Sequence, residues 1–274
     1  MLRLSLRWLF LLSAPAALLL GLFFVLPLGS VLLEAFAGGG ESFGRVLRDP
    51  VFWKGLRGSL VLSLAAGTVS LGVGFFVAQQ LARLTATART LLLFLISLPL
   101  TFSGLIVAYG FILVFGRAGF VTLSLETLGV NGAAFAGFIY SPSGLACAYS
   151  YYLIPRVVLF LLPVLVNFDR AQLAAAETLG AGRYEVLRDV LLPQILPAAL
   201  GAFTLVVAVA LGAYGTALAL VGTQINILPL LIYSKISETG SDFPAAAALS
   251  VLLLALCSCV MGAGEWIAAR HEPA

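Results

Sequence analysis

Six stretches of this 274-residue chain run for about twenty residues or more with almost no charge: Trp8 past Leu26, Gly58 to Leu81, Thr90 to Phe115, Leu145 to Val166, Gln194 to Val221 and Ala245 to Ala268. A helix rises 1.5 Å per residue, so about 20 apolar residues match the hydrocarbon core of a bilayer. Inside that core each segment must pair its own backbone polar groups, which favours helix for every run. Composition agrees: 61% of residues are hydrophobic and 10% charged, against about a quarter charged in a soluble domain. The expectation is an all-α, polytopic membrane bundle of about six transmembrane helices.

The same sequence excludes several functions. Net charge is only +3, and the two lysines, Lys54 and Lys235, stand apart. No basic run could track phosphates, so a nucleic-acid partner is not expected. His271 is the single histidine, which removes Ser-His and Cys-His pairs and any multi-histidine metal site. No Gly-x-x-x-x-Gly-Lys-Ser/Thr loop occurs, so the chain has no means of hydrolysing ATP. Cys147, Cys257 and Cys259 lie in apolar runs and read as small apolar residues. No enzyme activity, catalytic residue, metal site or cofactor of the chain itself is expected, and driven transport would need a partner's energy.

In chain order, Arg3 and Arg7 precede an apolar run longer than the 7 to 15 residues of a cleavable signal. It reads as a retained first span with its N-terminus in the cytoplasm. Residues 1–57 are this span plus an outer loop, in which Ala37 to Gly40 is flexible and Phe43 to Trp53 could form an interfacial helix. Residues 58–268 form the core. Its second span is rich in Ser, Gly and Ala, so helix backbones can approach closely. The third is broken near Pro99, where Ser97, Thr101 and Ser103 can satisfy freed carbonyls. In 116–144, Ala133 to Ile139 is too short to span and reads as re-entrant or interfacial. The fifth span is entered through Pro193 and Pro197 and has a polar centre at Gly212, Tyr214, Gly215 and Thr216. Leu228 to Ile236 is a short amphipathic helix in an outer loop. Glu265 is an interfacial acid rather than a proton site.

The fourth span holds Tyr149, Tyr151, Tyr152, Pro155 and Arg156 in its middle. An arginine at bilayer depth costs about 2.5–3.5 kcal/mol or more and points to function. One reading pairs Arg156 with carbonyls freed by Pro155, or with a partner subunit. The other puts it and a tyrosine face on a path, meeting an anionic or carboxylate-bearing solute. Both stay open.

Against this apolar background one segment is polar. Between Asp169 and Asp189 lie seven charged residues. A small-residue helix, Leu173 to Leu179, runs into Gly180-Ala181-Gly182, and a second short helix leads from Tyr184 to Pro193. Glycines there can take positive φ, so two helical pieces can meet at a sharp angle. Such an elbow between spans suits docking to another protein.

The elbow resembles the coupling loop of ABC-importer permeases. Ala175 and Ala176 match that family's alanine pair, Gly180 its glycine and Leu192-Pro193 its closing Leu-Pro. The family's glutamate position is Ala174 here, with Glu177 one helical turn further on. The Gly-Thr-Gln-Ile-Asn stretch from Gly222 and the Leu-Pro-Leu-Leu-Ile-Tyr stretch to Tyr233 resemble the family's outer loop facing an external binding protein. The likeness covers roughly Phe52 to Ala268 and is nearest to the spermidine/putrescine, iron(III), thiamine and phosphonate branch. It implies a type I importer (MetI-like) fold in a bacterial inner membrane, with the core at 58–268 and the coupling loop at 168–193. Leu173, Ala174, Ala175, Ala176, Glu177, Leu179, Gly180, Ala181 and Arg183 would meet an ATPase. Arg156, Tyr149, Tyr152, Ser103 and Tyr214 would line the path. The implied partners are a second permease (copy or homologue), two cytoplasmic ATPases using ATP and Mg, an external solute-binding protein and the bilayer.

Eight cationic residues fall on the expected inner side and six on the outer, a weak bias, so placing the elbow inside rests on the resemblance. An ion-coupled secondary transporter would need intramembrane acids, absent from the first five spans, and two matching halves. An intramembrane hydrolase lacks its histidine.

Overall fold

The computed structural model describes residues 14–129, 131–237 and 242–271. Arg3, Arg7 and the first half of the expected first span therefore lie outside the described residues. Among the described residues every regular element is helical, and six stretches are long and apolar enough to cross a membrane. They are Ala14–Phe36, Pro50–Ala82, Gly104–Thr127, Pro142–Val166, Val186–Leu211 and Phe243–Arg270.

We label the helices in order: α1 (Ala14–Phe36), α2 (Glu41–Arg48), α3 (Pro50–Ala82), α4 (Ala86–Ser97), α5 (Gly104–Phe115), α6 (Phe120–Thr127), α7 (Gly132–Ile139), α8 (Pro142–Val166), α9 (Arg170–Thr178), α10 (183–211), α11 (Gly215–Val221), α12 (Leu228–Ser237) and α13 (Phe243–His271). The short α7 agrees with a segment that does not span.

Three boundaries depart from expectation. The second span starts at Pro50, ahead of the expected 57/58 boundary. Asp49 accepts a hydrogen bond from the Val51 N–H at 2.8 Å, and Pro50 sits in the first turn, where its missing donor costs nothing. The third crossing runs Gly104–Thr127 rather than Thr90 to Phe115: α4 is a separate, shorter apolar helix that ends in a 3₁₀ turn at Leu98–Thr101, and α5 starts the crossing after Ser103. The fifth stops at Leu211, and Gly212 to Tyr214 separate it from α11, so the expected polar centre is a break.

The centre of the bundle is α8, whose Leu145, Tyr149, Leu153, Val157 and Leu161 are fully buried. It packs on α3 and α10. The reason is the small face of α3, where Ser59, Ser63, Gly67, Ser70, Gly74 and Ala78 are buried at helical spacing. Without a water-driven force between helices in lipid, close van der Waals contact does the work, and small residues permit it. A Cβ at Gly74 would lie 2.6 Å from Val157, and one at Gly67 would lie 2.7 Å from Val207 of α10.

A second, smaller core joins Ala35 of α1, Val46 of α2, Phe52 of α3, Leu228 of α12 and the Ala245 to Leu249 end of α13. Ser59 accepts from the Leu228 N–H at 2.8 Å, and Arg45 pairs with Asp242 at 2.9 Å. These bonds tie α12 and the start of α13 to α3 and α2.

Candidate coupling elbow and translocation cleft

The Asp169 carboxylate accepts from the Ala171 N–H at 2.9 Å and caps α9. At the other end Gly180 sits at φ +87°. The Ala181 N–H donates to Ala176 O at 3.1 Å and the Gly180 N–H to Glu177 O at 3.0 Å. This paired closure needs a left-handed residue at 180, which glycine supplies without steric cost. The turn then feeds α10, where Glu185 reaches back to accept the Gly182 N–H at 2.8 Å. One backbone donor left open at a helix start is thereby satisfied.

The tip so formed is apolar and open. Leu179 is 89% and Tyr184 73% exposed, and Ala174, Ala175 and Glu177 also face outward. Leu173, Ala176 and Ala181 are half-buried. Arg183 opens α10. Gln194 of α10 hydrogen-bonds to Gln172 of α9, which ties the two arms of the elbow together.

The second arm is not the separate short helix expected to end at Pro193. It continues into the membrane through a wide π-type stretch, Val186–Leu191, in which the Leu192 N–H reaches Leu187 O, five residues back. Proline at 193 has no N–H to give. The widened turn absorbs that missing donor, so the helix passes through instead of stopping.

At the far end of α10 the two breaks meet beside α8. Pro99, Phe102 and Gly104 from the first, Val209 and Gly212 to Thr216 from the second, and Tyr152 and Arg156 from α8 line a cleft of about 310 Å³. Two long-range bonds hold the breaks in place. The Tyr149 hydroxyl donates to Ala213 O at 2.6 Å, and the Thr216 hydroxyl donates to Gly104 O at 3.0 Å. Gly104 has no room for a side chain, because a Cβ there would strike Thr216 Oγ1.

Three of the five expected path residues, Arg156, Tyr152 and Tyr214, line this cleft. Tyr149 is buried at 0% exposure and fastens the second break. Ser103 caps α5 by accepting the Ile106 N–H at 3.4 Å. Thr216 and Gly104 were not foreseen as site residues. Both lie in breaker-rich segments, Leu98 to Gly104 and Gly212 to Thr216, but the sequence does not show that these two segments meet.

Arg156 is half-buried and donates from Nη1 to Tyr152 O at 2.7 Å, with its guanidinium carbon 5.4 Å from the Tyr152 ring centre. The carbonyl that Pro155 deprives of a helical donor is that of Tyr151, four residues back. The guanidinium therefore takes a carbonyl of its own helix, but not the one freed by the proline.

Residues 70–272 match the family model of the binding-protein-dependent transport system inner membrane component. The chain belongs to this family. It is the permease of a binding-protein-dependent ABC importer and a multi-pass membrane protein, which sets aside the ion-coupled alternative. The permease is 30% identical over 249 residues to sulfate permease 2, chloroplastic, of Chlamydomonas reinhardtii, covering 90% of this chain and 66% of that protein. It is also 30% identical over 227 residues to the molybdenum transport system permease protein ModB of Escherichia coli strain K12, covering 81% and 96%. Its fold matches a chain of a bacterial alginate ABC transporter solved with an alginate pentasaccharide-bound periplasmic protein. The TM-score there is 0.74, with 16% identity over 96% of this chain and 94% of that one.

Proposed function

We propose that the permease lines half of the membrane path for a small oxyanion, with the elbow of α9 and α10 as the handle for a cytoplasmic ATPase. The observation that carries this reading is the continuity of α10: one helix leads from the exposed elbow at Arg183 to the break beside the cleft at Leu211. ATP-driven movement of the elbow would reach the cleft without an intervening joint. The substrate class draws on the two relatives, since sulfate is an oxyanion and molybdenum travels in neutral water as one.

The full assembly would hold a second permease, either a copy or a homologue, two cytoplasmic ATPases that consume ATP with Mg, and an external binding protein. In a bacterial inner membrane the N-terminus would face the cytoplasm. The resemblance of the elbow to a coupling loop supplies that side, and the count of crossings carries it to the N-terminus. The turn at Arg83, the elbow and the C-terminus follow two, four and six spans respectively, so all share a side with the N-terminus.

Leu173, Ala174, Ala175, Ala176, Glu177, Leu179, Gly180, Ala181 and Arg183 would form the ATPase contact, with Leu179 and Tyr184 as its apolar anchors. The test is co-purification with the ATPase and sulfate or molybdate uptake in proteoliposomes. Ala175→Glu and Gly180→Arg should abolish uptake while the protein stays in the membrane. Full uptake by both variants would refute the elbow's role.

A further inference from the structure

We infer that the cleft at Arg156, Tyr152 and Thr216 is a binding station for a small oxyanion inside the permease itself. The inference rests on the importer reading and adds the residues that read the solute. Three observations converge on it.

The first is a cation without a counter-charge. Among the described residues the ion pairs are Arg45 with Asp242 and Arg188 with Asp189, and neither involves Arg156. Of the five N–H donors of a guanidinium, one makes a bond among the described residues, to Tyr152 O. The cleft lining contains no carboxylate. A charge held at this depth is costly unless something meets it.

The second is an orphan hydroxyl. Tyr152 is 7% exposed, and among the described residues its Oη completes no hydrogen bond: the Thr216 hydroxyl is close by but not in hydrogen-bonding geometry. The Thr216 hydroxyl commits its proton to Gly104 O. A buried phenol without a partner costs about 1–3 kcal/mol, which a bound acceptor would recover.

The third is space and polarity. A volume of 310 Å³ matches about ten waters at roughly 30 Å³ each, enough for a four-oxygen anion with part of its hydration shell. Gly104 in the lining opens α5, a twelve-residue helix, so its positive dipole end adds to the field of Arg156. The same field repels cations. Of the solute types in the branch that the sequence resembles, polyamines, iron(III) and thiamine are therefore disfavoured, and the phosphonate type fits.

The experiment uses the complete permease–ATPase complex in nanodiscs, without binding protein, and measures equilibrium binding of radiolabelled inorganic sulfate. Molybdate should compete, whereas putrescine and an uncharged sugar should not. Arg156→Gln should weaken binding about 10- to 100-fold, the loss of a charge-assisted pair. Arg156→Lys should retain part of it, since a point charge remains but the planar fork is lost. Tyr152→Phe should weaken binding about 3- to 10-fold. If Arg156→Gln fails to fold, Arg156→Lys and Tyr152→Phe decide. Absence of saturable sulfate binding in the wild type, or wild-type binding in the folded variants, overturns the station. ATPase co-purification and ATP hydrolysis are read on the same samples. If they persist while sulfate binding is absent, only the station falls; if the ATPase does not co-purify, the importer reading falls with it.

Discussion

Gly67 offers a quantitative test of the packing that seats α10. A methyl there would start 2.7 Å from Val207 Cγ2 and 3.4 Å from the Phe203 ring, whereas carbon atoms in contact settle at about 3.5–4.0 Å. Something must move by about 1 Å. Val207 is 1% exposed, so its methyl is no flexible tip that can swing aside. Gly67→Ala should therefore cost about 1–3 kcal/mol, the range for overpacking a close contact. Val207→Ala removes the obstructing methyl. In lipid it forfeits packing rather than water-driven burial, at about 1–2 kcal/mol. In the double variant the methyl added at 67 occupies the space vacated at 207. The two single costs should then fail to add by about 1–3 kcal/mol in the favourable direction. Gly72 is the control, because it lies on the same helix with nothing within 4 Å of a Cβ. Gly72→Ala should leave stability unchanged or raised by up to about 1 kcal/mol, from helix propensity alone. Thermal unfolding of the purified permease reads all four variants, at about 2–4 °C per kcal/mol. A Gly67→Ala variant that melts with the wild type, or a double variant that melts at the sum of the singles, would refute the reasoning.

Other bonds make sharper comparisons in pairs. Ser59→Ala should cost about 1–3 kcal/mol because it strands the buried Leu228 N–H. Ser63→Ala should change thermal stability little, since Ser63 bonds only Leu60 O of its own helix at 3.2 Å. Asp242→Ala should lower the melting temperature more than Arg45→Ala: the exposed ion pair is worth about 0–1 kcal/mol, but Asp242 also accepts the Ala245 N–H at 3.1 Å. At the elbow, Gly180→Asn should keep uptake and Gly180→Val should lose it. Space around 180 is open, so the cost is conformational, and asparagine tolerates the left-handed region that a β-branched residue resists.

The span count was legible because twenty uncharged apolar residues have few alternatives in a chain like this. Gly180 was legible too, since a sharp elbow with no bulky neighbour calls for the residue that takes φ +87° freely. The breaks were legible unequally. Pro99 marks the first, but the second contains no proline. It depends on Tyr149 reaching Ala213, 64 residues away, and no local pattern carries such a bond. Pro193 misled in the opposite direction: it suggested a joint between elbow and span, and a π-type stretch carries the helix through. Thr216 emerges as a site residue only once α11 is known to lie against α5.

These departures bear directly on coupling. A joint at Pro193 would have let the elbow move without disturbing the membrane, whereas under the proposed function the continuous α10 would deliver its motion to Leu211. There the chain breaks, and the segment beyond is fastened elsewhere, by Thr216 to Gly104 and by Tyr149 to Ala213. Gly212 to Tyr214 is thus the point that must flex if α10 tilts while α11 stays with α5, as hinge residues at element ends do. We expect spin labels at 187 and 209, on one rod, to keep their separation when ATP binds to the assembled transporter. Labels at 187 and 219, across the break, should change theirs. Opening the break should also move the Ala213 carbonyl off Tyr149, so Tyr149→Phe should broaden the 187–219 distance distribution even without ATP. If the pair on the rod changes and the pair across the break does not, the flexing point lies within α10, and the π-type stretch at Val186–Leu191 becomes the hinge instead.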